Sequence, residues 1–186
     1  NSEKVILIGN SLGSLVALTC AVSLEDQIAT VIASPLPDQI QANKKKIPNK
    51  SLFKKIKAVF IVIFFRFFPM EIILFLIVKL GFIKLGLYSA YYKKDNIDSE
   101  LIDLITRPVL RRTAARSLRA MCIGMSSRDE ELQASYLLRK LSTSKKVPFL
   151  LIWGDKDNFI PLFLGKKIAN FHRWVKLKIV PNSGYC

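Results

Sequence analysis

The strongest constraint on this chain is a change of pattern within its first 34 residues. Lys4-Val5-Ile6-Leu7-Ile8 is a short apolar run ending at Gly9, as a strand buried in a parallel sheet does. Leu12 to Leu24 follows with small and apolar residues and no proline, which predicts a helix. Ile28 to Ala33 is a second β-branched run, closed by Ser34-Pro35-Leu36-Pro37. Strand, helix and strand in about thirty residues make a βαβ unit, and that unit requires a parallel sheet.

The end of the chain repeats the pattern. Val147 to Trp153 predicts a strand entering the polar loop Gly154-Asp155-Lys156-Asp157-Asn158. Pro161 then stands at a helix start, where its missing N–H costs nothing. Val175 to Val180 is a further strand, followed by the turn residues Pro181-Asn182-Ser183-Gly184. Between the two flanks the pattern lacks strand alternation and is mainly helical. The expected organisation is therefore a core of 1–35 and 142–186, interrupted by a helical insertion at 36–141.

Within the insertion, 58–80 is apolar at 19 of 23 positions, the exceptions being Arg66, Pro69, Glu71 and Lys79. Hydropathy alone is compatible with a membrane span. Topology argues against it, because one crossing would put the flanking strands on opposite sides of the bilayer. Two crossings would need about 20 residues each, and Pro69 leaves half that. Two helices breaking near Pro69 are expected instead.

Gly9-Asn10-Ser11-Leu12-Gly13 has the form G-x-S-x-G, set between a strand and a helix. A sharp turn there pushes a serine hydroxyl off the C-terminal edge of the sheet. The N–H of Leu12, at the helix start, would give one oxyanion donor. In the plainer alternative Ser11 only caps the helix. A dinucleotide fingerprint fits less well, since serines stand at positions 11 and 14 where it needs glycine.

On these residues the chain resembles the α/β-hydrolases, and the second flank agrees. Trp153-Gly154-Asp155-Lys156-Asp157-Asn158-Phe159-Ile160-Pro161 resembles that family's W-G-x-x-D-x-x-x-P loop, which implies Asp157, and not Asp155, as the catalytic acid. Val180-Pro181-Asn182-Ser183-Gly184-Tyr185-Cys186 is similar to its N-S-G-H-C turn, with Tyr185 where the catalytic histidine belongs. A phenol titrates near about 10 and cannot relay protons at neutral pH as imidazole does. Either the chain is a non-catalytic relative or position 185 is a local variant. The single histidine, His172, is expected at a surface or helix end, with a surrogate base as the alternative. The turn at 9–13, the Ser34-Pro35-Leu36-Pro37-Asp38 exit and the Asn-Ser-Gly turn look most like the cyanobacterial and plastid branch that includes pheophytinase-like esterases.

The resemblance implies a parallel sheet with an inserted helical cap, and a first oxyanion strand upstream of Asn1. The start at Asn1 without an initiator Met and the stop at Cys186 inside a loop suggest an internal fragment. The implied activity is hydrolysis of a lipophilic carboxylic ester. Asn10 and the cap phenylalanines Phe64 and Phe68 would contact the substrate; a cap core without ligand contact is the alternative. No cofactor or metal is implied.

The formal charge of +15 arises from 29 basic and 14 acidic residues, a balance that favours anionic partners. Seven lysines fall within 44–57. They suit an anionic membrane surface, although such a run is more often simply a solvated face. Arg107, Arg111, Arg112, Arg116 and Arg119 have spacings that would share much of one helix face. No nucleic-acid module accompanies the charge, so nucleic acid is not an expected partner. Cys20, Cys122 and Cys186 lack CxxC spacing, which fits a reducing, cytoplasmic setting with peripheral membrane contact left open.

Overall fold

A strand β1 (Val5–Asn10), a helix α1 (Leu12–Ser23) and a strand β2 (Ile28–Ser34) follow one another as the opening pattern predicts. This computed structural model describes residues 3–37, 56, 59, 60, 63, 64, 66, 67, 69–126, 128–144 and 146–185. Strands β3 (Phe149–Gly154) and β4 (Lys176–Val180) complete a four-stranded sheet of order β1-β2-β3-β4. Each neighbouring pair is parallel. β3 starts two residues later than expected because Pro148 has no N–H for the ladder. Its carbonyl still accepts from Val31 N–H and Thr30 Oγ, both at 3.0 Å.

The chain divides into two units. The sheet unit comprises Asn1–Ala42, Ser89–Lys93 and Asp129–Cys186. The helical unit comprises Asn43–Tyr88 and Lys94–Arg128. In the sheet unit α1 packs on β1 and β2 through Leu15, Leu18 and Ala21, and on a further helix at Ala134–Ser144. That helix buries Ala134, Leu137, Leu138 and Leu141, a three-and-four spacing that forms one apolar stripe. The expected insertion 36–141 thus differs from the observed division. The stripe seals α1 and ties 134–144 to the sheet.

Leu162–Phe171 forms the helix between β3 and β4 and packs on both strands. A Cβ at its Gly165 would stand 2.6 Å from the ring of Trp153, so only glycine lets helix and strand approach this closely. The core is completed by Val31, Leu36, Leu151, Trp153 and Ile168, all fully buried. β1 is an edge strand, and its Val5, Ile6 and Ile8 remain exposed. Parallel strands are ordinarily covered on both faces, so this is the exposed edge of a partial sheet.

The helical unit contains helices at Met70–Lys79, Ser99–Val109 and Ala114–Ser126, which pack mutually. Pro69 lies outside helix and Met70 opens the next one, so the apolar stretch breaks where its proline predicts. No helix among the described residues is long and apolar enough to cross a membrane. The arginine row does not share one face. Arg107 lies on the helix ending at Val109, Arg111 and Arg112 lie in the following turn, and Arg116 and Arg119 lie on the next helix. The interruption begins at Leu110, just past Pro108, which lies inside the last turn of the helix. Arg107 pairs with Asp103, and Arg119 with Glu71 at 3.2 Å.

Leu138→Ala should remove the seal between the two helices. It is expected to lower the unfolding free energy by about 2–5 kcal/mol, read from the urea midpoint. Leu104→Ala, at an exposed helical position, should stay within about 0.5 kcal/mol of the parent.

Candidate active site

The turn at Ser11 is held in an uncommon conformation. Ser11 has φ 51° and ψ −116°, a region that costs a residue with a Cβ roughly 1–3 kcal/mol. Surrounding bonds enforce it. Ser11 N–H donates to the carbonyl of Ser34 at 2.9 Å, and Ser14 N–H donates to the carbonyl of Ser11 at 2.9 Å. Ser14 is fully buried; its hydroxyl donates to Gly9 C=O at 2.7 Å and accepts from Ser34 N–H at 3.0 Å. A Cβ on Gly9 would collide with the carbonyl of Gly13. Strand and helix can approach this closely only with glycine at position 9. A Cβ on Gly13 would meet open space, so the second glycine of the motif has no such packing demand.

The loop after β3 is closed by its tryptophan. Trp153 Nε1–H donates to Ile160 C=O at 2.7 Å, which draws 154–160 back onto its own strand. Asp157 sits inside that loop at 6% exposure. Its Oδ1 accepts from the N–H groups of Phe159 at 2.9 Å and Ile160 at 2.8 Å. Its Oδ2 is buried with no hydrogen-bond partner among the described residues. Burial raises the carboxyl above its ordinary value, and the two backbone N–H bonds oppose that rise. Asp155, by contrast, is spent locally: its Oδ1 accepts from Ser183 N–H at 3.3 Å.

The turn after β4 packs against the same loop. A Cβ on Gly154 would strike the Gly184 carbonyl, and Lys156 N–H donates to Ser183 C=O at 2.9 Å. Asn182 takes φ 54°, a left-handed conformation that asparagine tolerates well. Tyr185 N–H donates to Ala90 C=O at 2.8 Å. The Tyr185 ring stands edge-on to Phe159, two residues from Asp157, with centroids 5.4 Å apart.

Ser11, Asp157 and Tyr185 follow the C-terminal ends of β1, β3 and β4, and parallel pairing puts those ends on one rim of the sheet. Open α/β sheets bind their ligands at this rim. Leu12 is the first residue of α1, so the helix itself cannot use its N–H. Asn10 ends β1 on that rim and is exposed. Phe64 belongs to the helical unit and is exposed; Phe68 lies outside the described residues.

His172 is placed at a helix end as expected, but it is buried at 5% exposure instead of lying at the surface. It precedes β4 while Tyr185 follows it, so the length of a strand separates it from the rim. Burial, and secondarily the charge of Arg139, hold its imidazole below its ordinary value. It is a core residue at the opposite end of β4 from the rim, which argues against a role as surrogate base. Ser14 is the residue to which sequence reasoning gives no structural role. Its hydroxyl is one of three in Leu12–Ser23, with those of Thr19 and Ser23, and nothing local marks it out.

No protein-family model and no curated protein matches the chain. Solved structures do match. A mutant of the meta-cleavage product hydrolase CumD from Pseudomonas fluorescens IP01, complexed with acetates, superposes with TM-score 0.62 at 16% identity, over 99% of this chain and 58% of its own. An esterase from Thermogutta terrifontis gives 0.60 at 18%, over 98% of this chain and 58% of its own. The epoxide hydrolase CorEH gives 0.57 at 18%, over 100% and 62%. At these identities the likeness is one of fold, and it is unambiguous. The chain has a partial α/β-hydrolase fold, spanning 58–62% of the length of these solved chains. They cover several hydrolytic chemistries, and none is described as pheophytinase-like.

Asp157→Asn keeps an oxygen for the Phe159 and Ile160 N–H groups and removes a charge that burial disfavours. Because the folded carboxyl is raised, the parent binds more protons folded than unfolded. Its stability should fall as pH climbs from the unfolded carboxylate range through that raised value. Urea unfolding from acid to neutral pH should show this fall in the parent and not in the variant. At pH 7 the variant should be at least as stable as the parent.

Proposed function

We propose that the protein is of the serine-hydrolase type, built to cleave a carboxylic ester of a lipophilic substrate, and that Tyr185 leaves this chain without its general base. The reading is carried by the pairing of a strained serine at the rim with a buried carboxylate whose second oxygen lacks a partner among the described residues. Ser11 is the nucleophile, Asp157 the acid, position 185 the place of the base, and Leu12 N–H an oxyanion donor. With an imidazole at 185, Ser11 Oγ bonds to the ester carbonyl carbon as its proton passes to the imidazole. That proton then leaves with the alcohol, and water releases the acyl group by the same relay. Asp157 Oδ2 is suited to hold the imidazole's other N–H. By its sequence the phenylalanine-rich stretch that includes Phe64 and Phe68 favours an apolar substrate, and Asn10 is a candidate contact at the rim.

With Tyr185 the relay has no acceptor near neutral pH, and turnover should be lower by several orders of magnitude. That same residue favours a second reading, a hydrolase fold kept without catalysis. A serine-directed fluorophosphonate probe separates the two. Tyr185→His should label at Ser11 at least about a hundredfold faster than the parent, and adding Ser11→Ala should abolish labelling. If folded Tyr185→His stays unlabelled, the hydrolase reading fails and the non-catalytic one stands.

A further inference from the structure

Positions 56, 59, 60, 63, 64, 66 and 67 are helical. Among them Ile56, Val59, Phe60, Ile63 and Phe67 recur at three- and four-residue steps, the sequence spacing of one helix face, and Phe64 beside them is exposed too. The exposure of the five runs from 50% for Ile63 to 79% for Phe67. A water-soluble surface rarely leaves such a row uncovered. Ile72, Phe75 and Leu76 add exposed apolar side chains on the next helix of the same unit.

The charge identifies what could cover the row. By residue count the helical unit holds 17 basic and 5 acidic residues, hence +12 of the chain's +15. The sheet unit holds the other 12 basic and 9 acidic residues, hence +3. A second copy would have to bring one +12 unit against another, across a face with few acids to pair them. An anionic bilayer offers the opposite charge and an apolar interior in a single partner. Within the same unit a cavity of about 220 Å³ sets Leu74, Phe75, Val109 and Leu110 beside Arg111 and Arg112, with Glu71 as its one acid.

We propose that the helical unit is a peripheral membrane-docking module, whose apolar row at 56, 59, 60, 63 and 67 enters the interface of an anionic bilayer. Its positive charge supplies the long-range attraction and the rings supply the anchorage. This does not depend on Ser11 being a nucleophile, since the docking residues all belong to the helical unit.

The test is vesicle flotation of the full chain, with phosphatidylcholine alone and with phosphatidylcholine containing phosphatidylglycerol, at low and high salt. The chain should float with the anionic vesicles at low salt. Its partition should drop at least about tenfold on neutral vesicles or in high salt, because each basic residue near the surface contributes about fivefold. Phe60→Ser combined with Phe67→Ser should lower partition on the order of a hundredfold, about tenfold per ring, with an unchanged urea transition. Absence from the floating fraction overturns the proposal. So does equal binding to neutral vesicles at any salt, or a dimer in light scattering that the same two substitutions dissolve. The lipid-charge and salt arms need no variant, so they decide the question even if the double variant fails to fold.

Discussion

The hydroxyl of Ser14 is the contact on which the rim depends. It joins the end of β1 to the end of β2 by donating to Gly9 and accepting from Ser34. Those two bonds, with the Ser11 N–H bond to Ser34, over-determine the turn and keep Ser11 at positive φ. An isolated turn would relax to an ordinary conformation, since strain of this kind persists only where the surroundings hold it. A buried hydroxyl satisfied on both sides is stiff, and the stiffness is passed to the residue it supports.

The second half of the rim is built by a different device. Trp153 is fully buried and reaches Ile160, which shapes the loop around Asp157. The turn holding Tyr185 is pressed against that loop at Gly154, where a Cβ would strike the Gly184 carbonyl, and against Ala90 at Gly184, where a Cβ would strike the Ala90 carbonyl. Burial disfavours the charge of Asp157, one of whose oxygens is unpaired among the described residues. The Tyr185 ring stands edge-on to Phe159 in that turn.

Much of this was legible in the residues themselves. The strands follow from β-branched runs, the first turn from Gly9 and Ser11, the acid loop from Trp153, Gly154 and Pro161. These are local signals, and local signals survive in a sequence. What was not legible depends on contacts distant along the chain. The helix at 134–144 groups with the sheet because its leucines meet α1, more than a hundred residues earlier. His172 is buried by tertiary packing that its helix-end position does not announce. The arginines from 107 to 119 fit one helical face by spacing, yet a turn after Pro108 divides them. Ser14 looked like one more small residue in a helix.

The central claim is that the Asp157 oxygen left unpaired among the described residues lies where a side chain at position 185 can reach it. The most direct measurement is the NMR titration of the imidazole introduced by Tyr185→His. It is easily assigned, because His172 is the chain's one native histidine. A neighbouring carboxylate stabilises the charged ring, so this imidazole should titrate above about 6.5, the ordinary value. Adding Asp157→Asn should bring it down again. An imidazole that titrates at its ordinary value and ignores the second substitution would contradict the account.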